Sequence, residues 1–175
     1  PNPSPPSTVR PATCWRPPNK SWFKVNFDGA LFYQEHRVGI GVVICNEEGA
    51  VIAPITADTP TLNSSRGGDM AARRALEFAM EIGVHKVILE GIVDPYQSTS
   101  KKQPLIGTVW NLAEDVKYLA SKFQSYNLSH VCRQCNVVAH TLAKRAILNP
   151  HLLVWMEDVS PNVLSVLQAD LEGLS

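Results

Sequence analysis

The chain has no surplus of either charge. Sixteen lysines and arginines balance sixteen aspartates and glutamates, so the net charge is +0 and the pI is near 7.4. A dedicated nucleic-acid binder usually carries a clear basic excess, so binding through charge alone is expected to be weak and salt-sensitive. The local basic pairs Arg73-Arg74, Lys101-Lys102 and Lys144-Arg145 make at most a modest patch. No apolar run reaches membrane-spanning length, and no charged-then-apolar start reads as a signal peptide. The four cysteines, Cys14, Cys45, Cys132 and Cys135, lack the spacing of a disulfide framework. That pattern fits a reducing compartment, so nucleus or cytoplasm is expected rather than secretion. Internal repeats are absent too, which excludes a solenoid.

What is present describes a globular domain with extensions. At 175 residues and 19.2 kDa, with 45% hydrophobic and 18% charged residues, the chain is long enough to bury a sizeable core. It begins at Pro1 rather than Met, from which we expect a piece of a longer polypeptide with a domain upstream. Residues 1–19 hold seven of the thirteen prolines and read as a linker, with a proline-rich ligand for an aromatic groove as the sharper alternative. Residues 20–150 form the expected domain, and 151–175 an extra turn and short helix packed on it. A monomer is expected.

Within the domain, Trp22 to Asp28 alternates as a strand with one more polar face (Trp22, Lys24, Asn26, Asp28). Val38 to Ile44 is a β-branched run, Asn46 to Gly49 a turn, and Ala50 to Thr56 a returning strand, which together predict an antiparallel meander. Ala72, Ala75, Leu76, Ala79 and Ile82 share one face of a helix over 69–82, stopped by Gly83. His85 to Glu90 reads as a buried central strand, 106–123 as a second helix, 127–132 as a fifth strand and 137–148 as a third helix. The element order βββαβαβ with a closing helix predicts an α/β fold.

Several of these segments carry a more specific pattern. They include Trp15-Arg16-Pro17-Pro18, Lys24-Val25-Asn26-Phe27-Asp28-Gly29-Ala30, Gly39-Ile40-Gly41-Val42-Val43-Ile44, and Ala71-Ala72-Arg73-Arg74-Ala75-Leu76-Glu77-Phe78-Ala79. Further on come Lys86-Val87-Ile88-Leu89-Glu90-Gly91 and Arg133-Gln134-Cys135-Asn136-Val137-Val138-Ala139-His140-Thr141-Leu142-Ala143-Lys144. In this order they resemble the type 1 RNase H-like domain of plant proteins of retrotransposon reverse-transcriptase origin, from about Trp15 onward. The resemblance implies the RNase H-like fold (a five-stranded mixed sheet with helices on its faces), RNA–DNA hybrid or double-stranded nucleic acid as partner, Mg²⁺ (or Mn²⁺) as cofactor, and Arg133 and Asn136 as nucleic-acid contacts. It also implies four acidic stations around a metal site: Asp, then Glu on the first helix, then Asp after Glu-Gly, then Asp or, often, His. Here the stations read Asp28, Gly68, Ile92 and His140.

Chemistry makes these changes consequential. Two-metal nucleases use paired Mg²⁺ ions to activate a water and stabilise the leaving oxygen, and Mg²⁺ takes hard anionic oxygen ligands. Two divalent ions about 4 Å apart repel by roughly 17 kcal/mol at an effective dielectric near 20, so a cluster of carboxylates is needed to hold them. Asp28 stands at the first, metal-bridging station, although an Asp-Gly turn at a strand end would look the same. Position 68, one turn before Ala72, is expected to face the sheet, and its glycine cannot replace a glutamate. The adjacent Asp69 reads as a helix cap. Ile92 puts an aliphatic chain at the third station, with Asp94 two residues on as a possible substitute. His140 adds no negative charge and suits Mn²⁺ or Zn²⁺ better than Mg²⁺, or else is a satisfied helix-start histidine.

Two sharper readings carry less. His130, Cys132, Cys135 and His140 suggest zinc through one Cys-x-x-Cys pair, but without a second pair the cysteines fit ordinary positions flanking Arg133. Gly39-x-Gly41 reads as strand packing rather than a phosphate loop, since no helix opens after it. Three functions therefore stand open: a surviving hydrolase using Asp28, Asp94 and His140; a non-catalytic module that still recognises hybrid or duplex; and a folded relic or protein-interaction domain.

Overall fold

The computed structural model describes residues 15–60, 67–92, 114–148 and the backbone of 153–154. The meander is β1 (Phe23–Phe32), β2 (Arg37–Cys45) and β3 (Val51–Pro60), followed by α1 (Gly67–Glu81) and β4 (Lys86–Gly91). Then come α2 (Glu114–Ala120), β5 (Ser125–His130), α3 (Val137–Arg145) and β6 (Leu153–Val154), with 3₁₀ turns at Arg133–Cys135 and Ala146–Leu148. The sheet order is β5-β4-β1-β2-β3-β6. β1, β2 and β3 pair antiparallel, while β4 runs parallel to β1 and β5 parallel to β4. This is the mixed sheet expected from the periodicity together with the motif order, with β1 central. The two-residue β6, antiparallel to β3, is an addition inside the segment read as a C-terminal extension. Residues 106–113 and 155–175, part of the expected second helix and most of that extension, lie outside the described residues.

Strand alternation sorts the core into two layers. Val25, Phe27, Ile40, Val42, Ile44, Val87 and Leu89 face α1 and α2, which bury Ala72, Ala75, Leu76, Ala79, Val116 and Ala120 against them. Gly83 (φ 79°) ends α1, with the Val84 amide donating to the Ala79 carbonyl at 2.9 Å. The turn after β2 is tied by Asn46, whose Oδ1 accepts the Glu48 and Ala50 amides.

The opposite face of the sheet belongs to α3. Val138 and Leu142 pack on Val43 and Cys45, and Thr56 Oγ1 donates to the Leu142 carbonyl at 2.9 Å. The approach is close because β2 offers glycine there. A Cβ on Gly39 would lie 2.1 Å from the Ala143 carbonyl oxygen, and one on Gly41 would lie 2.0 Å from that of Ala139. The two glycines are thus strand packing: they let the helix backbone rest on the strand. Gly41→Ala must push α3 outward, and overpacking of this kind costs about 1–3 kcal/mol. We expect a two-state urea midpoint lowered accordingly, and an unchanged midpoint would show that α3 does not seat on β2.

The polar face of β1 is therefore not solvent-exposed. Lys24 and Asn26 are buried, partly because the segment before β1 docks onto them. Trp15 packs on Val43 and Cys45, its Nε1 donates to Asn26 Oδ1 at 3.0 Å, and Lys24 Nζ donates to the Arg16 carbonyl at 2.6 Å. Residues 15–19, read from their prolines as linker, are attached to the domain by these contacts, while 1–14 lie outside the described residues. No helix among the described residues is long and apolar enough to cross a membrane.

Candidate functional site

Three neighbours of Asp28 are set by the backbone. Asp28 pairs with Gly41 of β2, the residue on which α3 rests, so the helix passes directly over it. His140 follows Ala139 on that helix, and its Nδ1 lies 2.6 Å from Asp28 Oδ2. With Asp28 ionised, Nδ1–H is the donor and Nε2 is the nitrogen left for a ligand. The second carboxylate oxygen accepts the Gly29 amide at 2.9 Å.

The first turn of α1 abuts the same point. A Cβ on Gly29 would lie 2.3 Å from the Gly67 carbonyl oxygen and 3.2 Å from the Gly68 amide nitrogen, so glycine at 29 permits the contact. Gly68 itself is exposed, and a Cβ there would meet no atom within 4 Å. Position 68, expected to face the sheet, has its backbone against Gly29 of β1 while its own Cβ position opens to unfilled space. Asp69 is the third residue of α1 rather than its cap, because the helix begins at Gly67. It still lies in the first turn, where the helix dipole favours an anion.

Ile92 follows Gly91, whose partner on β1 is Phe27, so Asp28 and Ile92 leave the parallel pair side by side. Glycine at 91 leaves room for the Phe27 ring, which would lie 2.6 Å from a Cβ there. The structure thus brings Asp28, Gly68, Ile92 and His140 to one end of the sheet. Asp94 lies outside the described residues.

Directly beneath Asp28 on the same face is a buried polar network that sequence reasoning passed over. Asn26 Nδ2 donates to Glu90 Oε2 at 2.9 Å and to Asn136 Oδ1 at 3.3 Å. Asn136 Nδ2 donates to the Phe27 carbonyl at 3.0 Å. Glu90 Oε1 lies 3.3 Å from Lys24 Nζ and accepts Ser129 Oγ at 3.2 Å. Asn26 and Glu90 are register partners two residues before Asp28 and Ile92, so their parity was the available signal. The network ties the middle of β1 to the carboxyl end of β4 and clamps the start of α3.

This changes the picture of the two expected nucleic-acid contacts. Asn136 is 2% exposed, with its amide consumed inside the network, so it positions α3 instead of facing a ligand. Arg133, in the 3₁₀ turn before α3, is exposed. Of the basic pairs, Arg73 is held by Glu77 at 2.9 Å and Arg74 by Glu81 at 2.8 Å, while Lys144 is exposed. Lys101 and Lys102 lie outside the described residues.

Across residues 26–146 the chain matches the family described as reverse transcriptase-like. The chain belongs to that family. The reverse transcriptase-like domain has the RNase H-like fold, and solved RNase H structures superpose on it. RNase H1 from the halophilic archaeon Halobacterium salinarum NRC-1 does so with TM-score 0.58 and 21% identity, over 73% of this chain and 98% of that one. The N-terminal RNase H domain of Rv2228c from Mycobacterium tuberculosis gives TM-score 0.56 and 16% identity, over 88% and 99%. LC11-RNase H1 isolated from compost, solved also in complex with RNA/DNA hybrid, gives in that complex TM-score 0.55 and 21% identity, over 71% and 96%. At these identities the likeness is one of fold. No curated protein matches the domain.

The fold family implies divalent metal, and among the described residues the side chains at this point fall short of what a paired Mg²⁺ site takes. One Asp28 oxygen accepts a backbone amide and the other holds the His140 ring. The neighbouring stations offer a glycine and an isoleucine, and no group of three His, Cys, Asp or Glu side chains able to hold a metal forms among the described residues. An aspartate and an imidazole together carry too little anionic charge for two divalent ions.

Proposed function

We propose that this RNase H-like domain recognises RNA–DNA hybrid or double-stranded nucleic acid and cleaves it very slowly or not at all in Mg²⁺. The observation that carries the reading is the Asp28–His140 contact at 2.6 Å, flanked by Gly68 and Ile92 where the family resemblance calls for carboxylates. Recognition rests on the fold shared with an RNase H1 solved with bound hybrid, on exposed Arg133 and Lys144, and on the shape and 2′-hydroxyl contacts available to such a surface. The neutral net charge implies modest affinity. Any metal bound at Asp28 is held weakly, and Mn²⁺ supports at most trace cleavage, since it accepts imidazole more readily than Mg²⁺ does.

Labelled hybrid, duplex RNA and duplex DNA of equal length should be titrated by fluorescence anisotropy at about 50 and 200 mM salt, where phosphate contacts weaken with rising salt. The same hybrid should be incubated with Mg²⁺ and with Mn²⁺. We expect hybrid and duplex RNA to bind with a salt-dependent constant, Arg133→Ala to weaken binding, and product in Mg²⁺ to stay at background. Cleavage in Mg²⁺ that Asp28→Asn abolishes would overturn the catalytic half of the proposal. No binding of any duplex at low salt would overturn the recognition half and favour a relic or protein-interaction role.

A further inference from the structure

We propose that Cys132 and Cys135 are a reversible thiol–disulfide pair, a modification site in the turn that joins β5 to α3. Their Sγ atoms are 3.1 Å apart, and both residues are partly exposed. The geometry follows from the turn. Cys135 N donates to the Cys132 carbonyl at 3.0 Å, closing a 3₁₀ turn over Arg133–Cys135. Cys132 is the extended residue that caps this turn and Cys135 is its last residue, and the two sulfurs meet across it. Residues i and i+3 of such a turn have Cα atoms closer than about 7 Å, which overlaps the usual Cα separation of disulfides. Reaching the bond length near 2.05 Å needs a sulfur shift of about 1 Å, within reach of rotamer adjustment.

The third described cysteine provides an internal contrast. Cys45 is buried under α3, and burial pushes its thiol up to about 12, so it stays protonated and unreactive. The Cys132–Cys135 pair is reachable by a small disulfide. The step is ordinary exchange with a low-molecular-weight disulfide such as oxidised glutathione. One cysteine thiolate attacks a sulfur of the oxidant, and one thiolate of the oxidant leaves. The second cysteine thiolate then attacks the mixed disulfide and releases the other. The protein is oxidised by two electrons, the oxidant is reduced to two thiols, and the two cysteine protons pass to them. Such reversible pairs are the kind of disulfide that occurs in reducing compartments.

The pair's position gives the modification a consequence. Asn136 N donates to the Arg133 carbonyl at 3.1 Å, and His140 N to the Asn136 carbonyl at 3.0 Å. The turn therefore carries exposed Arg133 and leads directly into the helix turn that presents His140 to Asp28. A bridge stiffens that junction. The pair stands on its own geometry and does not depend on whether the domain binds nucleic acid. Zinc is the rival use of two cysteines, but among the described residues no third ligand joins them.

The test is made on the full chain, equilibrated in glutathione buffers of increasing oxidised fraction, quenched by alkylation, and read by intact mass and peptide mapping. We expect loss of two alkylatable thiols in a single step, a tryptic bridge between Cys132 and Cys135, and full recovery with dithiothreitol. Cys132→Ser and Cys135→Ser should each abolish the step, whereas Cys45→Ser should leave it unchanged. Four alkylatable thiols throughout, a bridge to Cys14, stable glutathione adducts on both residues, or stoichiometric zinc released only on cysteine oxidation would each overturn the proposal.

Discussion

The triple variant Gly68→Glu, Ile92→Asp, His140→Asp is expected to cleave an RNA–DNA hybrid in Mg²⁺ where the unaltered chain does not. Lewis-acid stabilisation by metal is worth several kcal/mol, so cleavage should rise by about 10²–10³-fold over the parent. Each substitution has room or position to act. A Cβ at 68 meets no atom within 4 Å, and the first turn of α1 abuts Gly29, the neighbour of Asp28, so a glutamate in place of Gly68 has room. Replacing that glycine also favours the helix by about 1 kcal/mol. Position 92 leaves β4 beside Asp28, and position 140 already touches it. The gain has a cost without metal: aspartates at 92 and 140 place like charges next to Asp28, which destabilises the apo fold and raises the carboxyl pKa values. Mg²⁺ should accordingly raise the melting temperature of the triple variant and leave the parent unchanged. Adding Asp28→Asn to the triple variant should remove both effects. A triple variant that folds and binds hybrid yet stays inert in Mg²⁺ would show that the site has lost more than its ligands.

The second large effect is on stability. Glu90→Ala should destabilise the fold by about 3–5 kcal/mol, because removing one partner of a buried ion pair leaves the other charge uncompensated. Lys24 and Glu90 are 8% and 6% exposed. Their contact at 3.3 Å is reinforced by the Arg16 carbonyl on the lysine and by Asn26 and Ser129 on the carboxylate. At roughly 2–4 °C per kcal/mol for a chain of this size, the melting temperature should fall by about 6–20 °C. The double variant Lys24→Met, Glu90→Met should recover most of the loss, since an apolar pair of similar volume often replaces a buried ion pair at little cost. Thermal and urea unfolding of the three variants decide the matter. If Glu90→Ala loses less than about 1 kcal/mol, water reaches this network and it does not support the site.

The sheet was legible because its signals are local. Alternation in β1, the β-branched run of β2, the turn at Asn46 to Gly49 and the alanine face of α1 each follow from side-chain period, and the strand order followed from the family resemblance. Element ends moved by a few residues, as with β1, which continues to Phe32, and α1, which begins at Gly67 before Asp69. Trp15 stands in both readings, inside the proline-rich linker and at the start of the family resemblance. Pro17, Pro18 and the proline-rich run before Trp15 predict an extended chain, and an extended chain still docks when an indole finds Asn26 and Lys24.

By itself the sequence determined the fold class, which is written in period and motif order, and named four residues for the stations that the family resemblance implies. Tertiary structure decided what those residues touch. Lys24 and Asn26 read as the more polar face of a strand, Glu90 as the end of a buried one and Asn136 as a nucleic-acid contact; with α3 and the Trp15 segment seated, every one is engaged in a buried network. Asp28 and His140 are 112 positions apart, and only the seating of α3 on Gly39 and Gly41 brings them to 2.6 Å. Such contacts depend on the distance of closest approach between a helix and a strand, a quantity fixed by missing Cβ atoms in one element and carbonyl oxygens in another, which no single segment of sequence contains.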